Sequence, residues 1–94
     1  MAQNTTVSLP AATWTQLTDA NASSITFQNV GSNYIIIKAT VGAVAPTSIA
    51  GAIRYNPGQG ERNVLLSDLF PGVTGANRVY AYADAITPVV VSHA

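Results

Sequence analysis

His93 is the only histidine in the chain and the residue whose type comes nearest to catalytic chemistry. An imidazole can act as general base for a Ser or Thr hydroxyl when a carboxylate orients it, and Asp19, Asp68 and Asp84 are the candidate orienting groups. Such nucleophiles commonly sit on a strained G-x-S-x-G elbow, and no run of that form occurs. His93 is next to the last residue, so it reads as a terminal-strand histidine at an edge or subunit contact. The carboxylates Asp19, Glu61, Asp68 and Asp84 are scattered. No local pair is placed for glycoside hydrolysis, and the closely spaced oxygen ligands of a calcium loop are missing. Asn56-Pro57-Gly58-Gln59-Gly60-Glu61-Arg62 has the glycines of a phosphate cradle but lacks the following Lys-Ser or Lys-Thr, and it reads as a turn. With no cysteine there is no disulfide framework, Cys-based zinc site or thiol nucleophile. Neither catalytic residues nor a cofactor or metal site emerges.

The aromatic residues are the stronger lead. Trp14, Tyr34, Tyr55, Tyr80 and Tyr82 could build a stacking platform for sugars. Residues two apart on a strand share a face, which places Arg78, Tyr80 and Tyr82 together. Tyr, Trp and Arg are the side chains favoured at binding hot spots, so this stripe suits a neighbouring subunit and, second, a glycan. Trp14 is assigned to the core, plugging one end of the fold.

Several short strands must position these groups. Ile25 and Phe27 alternate with Thr26 and Gln28, and after a Val30-Gly31-Ser32-Asn33 turn a second run spans residues 34–41. That run sets Ile35, Ile37, Ala39 and Val41 on one face and Tyr34, Ile36, Lys38 and Thr40 on the other, so the two segments are expected to form a hairpin. A second hairpin is expected where residues 51–55 and 62–66 bracket the turn at 56–60. Residues 6–9 and 13–17 flank Pro10, Ser67 is placed as cap of one helical turn before Pro71, and residues 78–83 and 88–92 form the last strands. The whole predicts one all-β domain, an antiparallel β-sandwich or jelly roll of seven or eight short strands over residues 11–94, with residues 1–10 as an N-terminal arm. Alternation nominates Val7, Leu9, Leu17, Ile25, Phe27, Ile35, Ile37, Ala39, Ile53, Leu65, Val79, Ala81, Val89 and Val91 as the core.

Composition narrows the partners. Of 94 residues only 9% are charged, against about 25% in an ordinary soluble domain, and the net charge is zero. Four basic residues do not neutralise a run of phosphates, so nucleic acid is not an expected partner. The most apolar stretch, residues 34–45, is short of the about 20 residues of a membrane span and contains Lys38. Residues 1–6 lack the basic and apolar regions of a secretory signal, so the sequons at Asn4 and Asn21 are discounted. The polar surface falls to 10 Thr, 7 Ser, 7 Asn and a few Gln, which hydrogen-bond without mutual repulsion and suit a protein packed against other subunits.

These elements together carry a resemblance. Ala12-Thr13-Trp14-Thr15-Gln16-Leu17, then Phe27-Gln28-Asn29-Val30-Gly31 leading into Ile35-Ile36-Ile37, then Ala45-Pro46, Pro57-Gly58, Arg78-Val79-Tyr80-Ala81-Tyr82-Ala83 and Val89-Val90-Val91-Ser92-His93-Ala94 follow in order. In size, low charge and succession of Thr-, Asn- and Val-rich strands, the chain resembles the small all-β virion structural proteins of tailed bacteriophages. That resemblance implies a non-enzymatic capsid decoration (cement) protein, made in the host cytoplasm and placed on the capsid surface. It would bind the major capsid protein and stabilise the shell as a homo-oligomer, a trimer by preference. The alternatives are a tail or head-spike accessory subunit, or a carbohydrate-binding module for host adsorption. The arm at 1–10 and the stripe Tyr34, Ile36, Arg78, Tyr80 and Tyr82 are the expected partner contacts.

Overall fold

A computed structural model describes residues 2–94. It contains eight strands, β1 (Gln3–Leu9), β2 (Thr15–Gln16), β3 (Ser24–Asn29), β4 (Ile35–Thr40), β5 (Ile53–Tyr55), β6 (Gly60–Leu65), β7 (Arg78–Tyr82) and β8 (Thr87–His93), and one helical turn, α1 (Leu66–Leu69). The strands make two four-stranded antiparallel sheets, ordered β1-β8-β3-β6 and β2-β7-β4-β5. That interleaving of two sheets is the jelly-roll form of the β-sandwich.

The core lies between the sheets and is built by alternation. Ile25 and Phe27 of β3, Ile35, Ile37 and Ala39 of β4, Val79 and Ala81 of β7, and Val89 and Val91 of β8 are all buried. Phe27 meets Tyr55 edge-on, with ring centres 4.9 Å apart and planes at 88°. Tyr55 therefore belongs to the core and not to an aromatic platform. Its hydroxyl donates to Glu61 Oε2 at 3.0 Å, and burial together with that carboxylate pushes the phenol above its ordinary range.

Both expected hairpins are absent. β3 and β4 lie in opposite sheets, as do β5 and β6, and β4–β5 is the only pair of consecutive strands that hydrogen-bond to each other. Alternation reports which face of a strand is apolar, and two strands facing each other across a core satisfy it as well as two lying side by side. At the β3–β4 crossing, Asn29 makes the arch: its side-chain amide donates to the Asn33 carbonyl at 2.7 Å and its Oδ1 accepts from the Gly31 N–H at 3.0 Å. The same amide reaches the Tyr55 carbonyl at 3.2 Å, while the Asn29 backbone exchanges bonds with Gln59 and Gly58. One fully buried side chain thus ties together the crossings that join the sheets at this end.

Residues 3–9 are not an arm. β1 runs beside β8 in unbroken register from Gln3 opposite His93 to Leu9 opposite Thr87, with Leu9 fully buried, and Pro10 ends it. Met1, also assigned to the arm, lies outside the described residues. Two nominated core residues are outside the core. Leu65 is 48% exposed because β6 is irregular opposite Ile25–Phe27, where Asn63 takes φ 46°, and Leu66 fills the core instead. Ile53 is paired with buried Ile37 but stands on the edge strand and stays 36% exposed. Val7 is half-buried at the other edge. Ser67 falls inside α1, whose first turn starts after Leu65 without a side-chain cap.

Candidate aromatic and basic sheet face

The residues that face away from the core on the second sheet form the candidate site. In β4 these are Ile36, Lys38 and Thr40, and register sets them opposite Tyr82, Tyr80 and Arg78 of β7. β5 adds Arg54 opposite Ile36, and β2 adds Gln16 opposite Tyr80. Just before β2, Trp14 lies against Tyr82 with ring centres 5.3 Å apart and planes tilted by 49°. Trp14 is half-buried on this outer face, so its placement in the core is corrected. The β1–β2 segment has Ala12 at φ 54° donating to the Ala83 carbonyl, which brings the indole over β7.

Polar contacts hold the face in shape. The Arg54 guanidinium carbon sits 4.1 Å from the centre of the Tyr34 ring, a cation–π contact. The Tyr34 hydroxyl donates to Asp84 Oδ2 at 2.8 Å, and that hydrogen bond and charge raise its pKa. Tyr80 donates to Gln16 Oε1 at 2.9 Å, Lys38 to the Ser48 carbonyl at 3.3 Å, and Arg78 to Asn21 Oδ1 at 2.9 Å. Three of the four basic residues, Lys38, Arg54 and Arg78, thus line one face, each hydrogen-bonded to a neutral oxygen. Asp84 at the rim accepts from Tyr34 and is one carboxylate against three cations, so the face has positive character.

All five stripe residues predicted from sequence, Tyr34, Ile36, Arg78, Tyr80 and Tyr82, are gathered here. Tyr80 is not an exposed member: at 6% exposure it supports its neighbours. Sequence reasoning missed Arg54, whose strand-to-strand pairing no local pattern reveals. Lys38 it placed on the face by alternation without counting it as a contact. A hollow of about 560 Å³ adjoins the face between Lys38, Thr40 and the β4–β5 loop, with Val44, Pro46 and Val73 on its walls. A second hollow, of about 370 Å³, lies on the other sheet near Thr26, Phe27, Gln28 and Arg62, away from the Trp14 and Tyr82 face.

His93 sits elsewhere, buried at the end of β8 with Nε2 3.1 Å from Asp19 Oδ1 and 2.7 Å from Gln3 Oε1. A buried histidine beside a carboxylate is the arrangement a catalytic reading requires. Its Nδ1, however, lies 3.0 Å from the Ala94 carbonyl, so both ring nitrogens are engaged and neither faces a hydroxyl nucleophile. The cluster fastens β1, β8 and the β2–β3 loop together, since Gln3 Oε1 also accepts from the Asp19 N–H at 3.1 Å. Among the described residues no three potential metal ligands converge, and no helix is long and apolar enough to cross a membrane. No protein-family model, curated protein or solved structure matches the chain.

Proposed function

We propose that the chain is a non-enzymatic virion structural subunit, a decoration protein that seats the aromatic and basic sheet face on the capsid shell and stabilises it as a homo-oligomer. The observation that carries the reading is the face itself: Trp14, Tyr34, Ile36 and Tyr82 are half-buried on a rigid sheet, interleaved with Lys38, Arg54 and Arg78. Aromatic and Arg side chains pre-ordered by sheet pairing lose little entropy on docking, and that combination makes binding hot spots. The positive character of the face suits a shell surface carrying carboxylates. The rest of the surface is poor in charge, with hydroxyls and amides beside exposed apolar side chains such as Val44, Ile49 and Ile86, and this supports the same reading because it lets copies crowd without charge repulsion.

The test is co-elution with expanded, DNA-free capsids of the phage that encodes the chain, read by light scattering and by capsid melting. Arg54→Ala and Tyr82→Ala are expected to cost about 2 kcal/mol of binding each, roughly 30-fold, with the far-UV spectrum unchanged. Wild-type protein that ignores such capsids refutes the reading for the head and leaves a tail or spike position. The placement of Trp14 outside the core favours a second reading, a carbohydrate-binding module, because an indole stacked on Tyr82 is a platform for a sugar ring. Quenching of Trp14 fluorescence by host glycans, lost in Tyr82→Ala, would establish that reading over the first.

A further inference from the structure

The four sheet edges are not treated alike. β2 and β5 border one sheet, with two and three residues, and β5 carries Arg54. β6 borders the other with Glu61, Arg62 and the irregularity at Asn63. Shortness, charge and bulges are the devices by which proteins keep sheet edges from pairing with another chain. β1 has none of them. Its seven residues, Gln3-Asn4-Thr5-Thr6-Val7-Ser8-Leu9, carry no charge and no proline, and their register with β8 runs without a break. Alternate residues of β1 turn N–H and C=O groups away from β8, and no further strand lies beyond it among the described residues.

We infer that this open edge pairs with β1 of a second copy of the chain, antiparallel about a two-fold axis through Thr6. The occupant follows from self-compatibility. A neutral strand meets its own copy without repulsion, and the antiparallel arrangement centred on Thr6 sets Thr6 opposite Thr6, Asn4 opposite Ser8, Thr5 opposite Val7 and Gln3 opposite Leu9. Every pair joins residues of the same sheet face, since Asn4, Thr6 and Ser8 share the outer face and Gln3, Thr5, Val7 and Leu9 the core-side face, on which Thr5 stays exposed at the edge. The outward pairs are hydroxyls and amides that hydrogen-bond across strands. The joined sheet has eight strands and leaves the aromatic and basic faces of both copies uncovered. The inference is independent of what those faces bind.

The experiment is sedimentation equilibrium of the wild-type chain from micromolar to millimolar concentration, beside Thr6→Lys and Thr6→Glu. Thr6 is exposed, so both variants keep the fold, checked by thermal melting of dilute samples. Wild type is expected at twice the 9.7 kDa chain mass. Each variant alone places like charges at the axis and should sediment as a single chain, while an equimolar mixture of the two should recover the doubled mass. A wild type that is monomeric throughout overturns the inference, and so does a trimer. An oligomer indifferent to Thr6→Lys also overturns it.

Discussion

Asn29→Ala removes the side chain that joins the two sheets at one end, and its cost can be worked from the bonds it breaks. Three are lost: to the Asn33 carbonyl at 2.7 Å, to the Tyr55 carbonyl at 3.2 Å and from the Gly31 N–H at 3.0 Å. Each is worth about 1 kcal/mol net, and an orphaned buried partner adds about 1–3 kcal/mol, so the loss should be at least about 3 kcal/mol. A domain of this size has about 5–15 kcal/mol of stability. The melting temperature should fall by about 12–24 °C, at about 4–8 °C per kcal/mol. The assay is equilibrium urea unfolding followed by far-UV circular dichroism and by Trp14 fluorescence, with the midpoint moving and the slope constant. Asn29→Asp sharpens the argument. It keeps the acceptor for Gly31 but turns an oxygen toward two carbonyls, so it should be at least as damaging as Ala. A loss below about 1 kcal/mol for Ala, or a milder effect for Asp, would refute the claim that donation by the amide holds the arch.

Other perturbations follow from the same geometry. Because the Tyr55 phenol titrates above its ordinary value of about 10, the unfolded chain loses that proton first as pH rises. Its contribution is complete below pH about 10 and fades above it; alkaline unfolding should therefore depend less steeply on pH in Tyr55→Phe, which stopped-flow fluorescence can measure. Gly60→Ala would drive a methyl group against the Phe27 carbonyl and to 2.7 Å from Gln28 Cα, both backbone, and should cost about 1–3 kcal/mol or more in urea unfolding. Phe27→Ala, at 1% exposure and edge-on to Tyr55, should lose about 3–5 kcal/mol, read as a lowered midpoint of urea unfolding by circular dichroism.

How far sequence could reach depended on whether a signal was local. Alternation at Ile35, Ile37 and Ala39, and at Val89 and Val91, correctly separates the buried from the outward face, because the period of a strand is a property of the strand itself. It does not name the neighbouring strand, and so two turns that read as hairpins proved to cross between sheets. The stripe of Arg78, Tyr80 and Tyr82 was legible for the same reason as the core. Arg54 was not, because its approach to Tyr34 requires β5 to lie beside β4. Trp14 and Tyr55 exchange their expected places: an indole that ends no apolar period sits outside, while Tyr55 goes in because Glu61 receives its hydroxyl. Leu65 and Leu66 are adjacent and equally apolar, and only the irregularity at Asn63 decides which of them is buried.

The place of β8 has a kinetic consequence. It is the eighth strand along the chain, yet it lies inside its sheet, between β1 and β3. As the ribosome releases the polypeptide, the β4–β5 ribbon is the only strand pair that can close between sequence neighbours. Until Thr87–His93 emerges, β1 has no partner and β3 has only β6. Folding of both sheets must therefore wait for the release of β8, with the slow, millisecond-to-second closure expected when pairings are distant in sequence. A nascent or truncated chain would expose the flanks of both β1 and β3, two sticky edges where the finished domain has one.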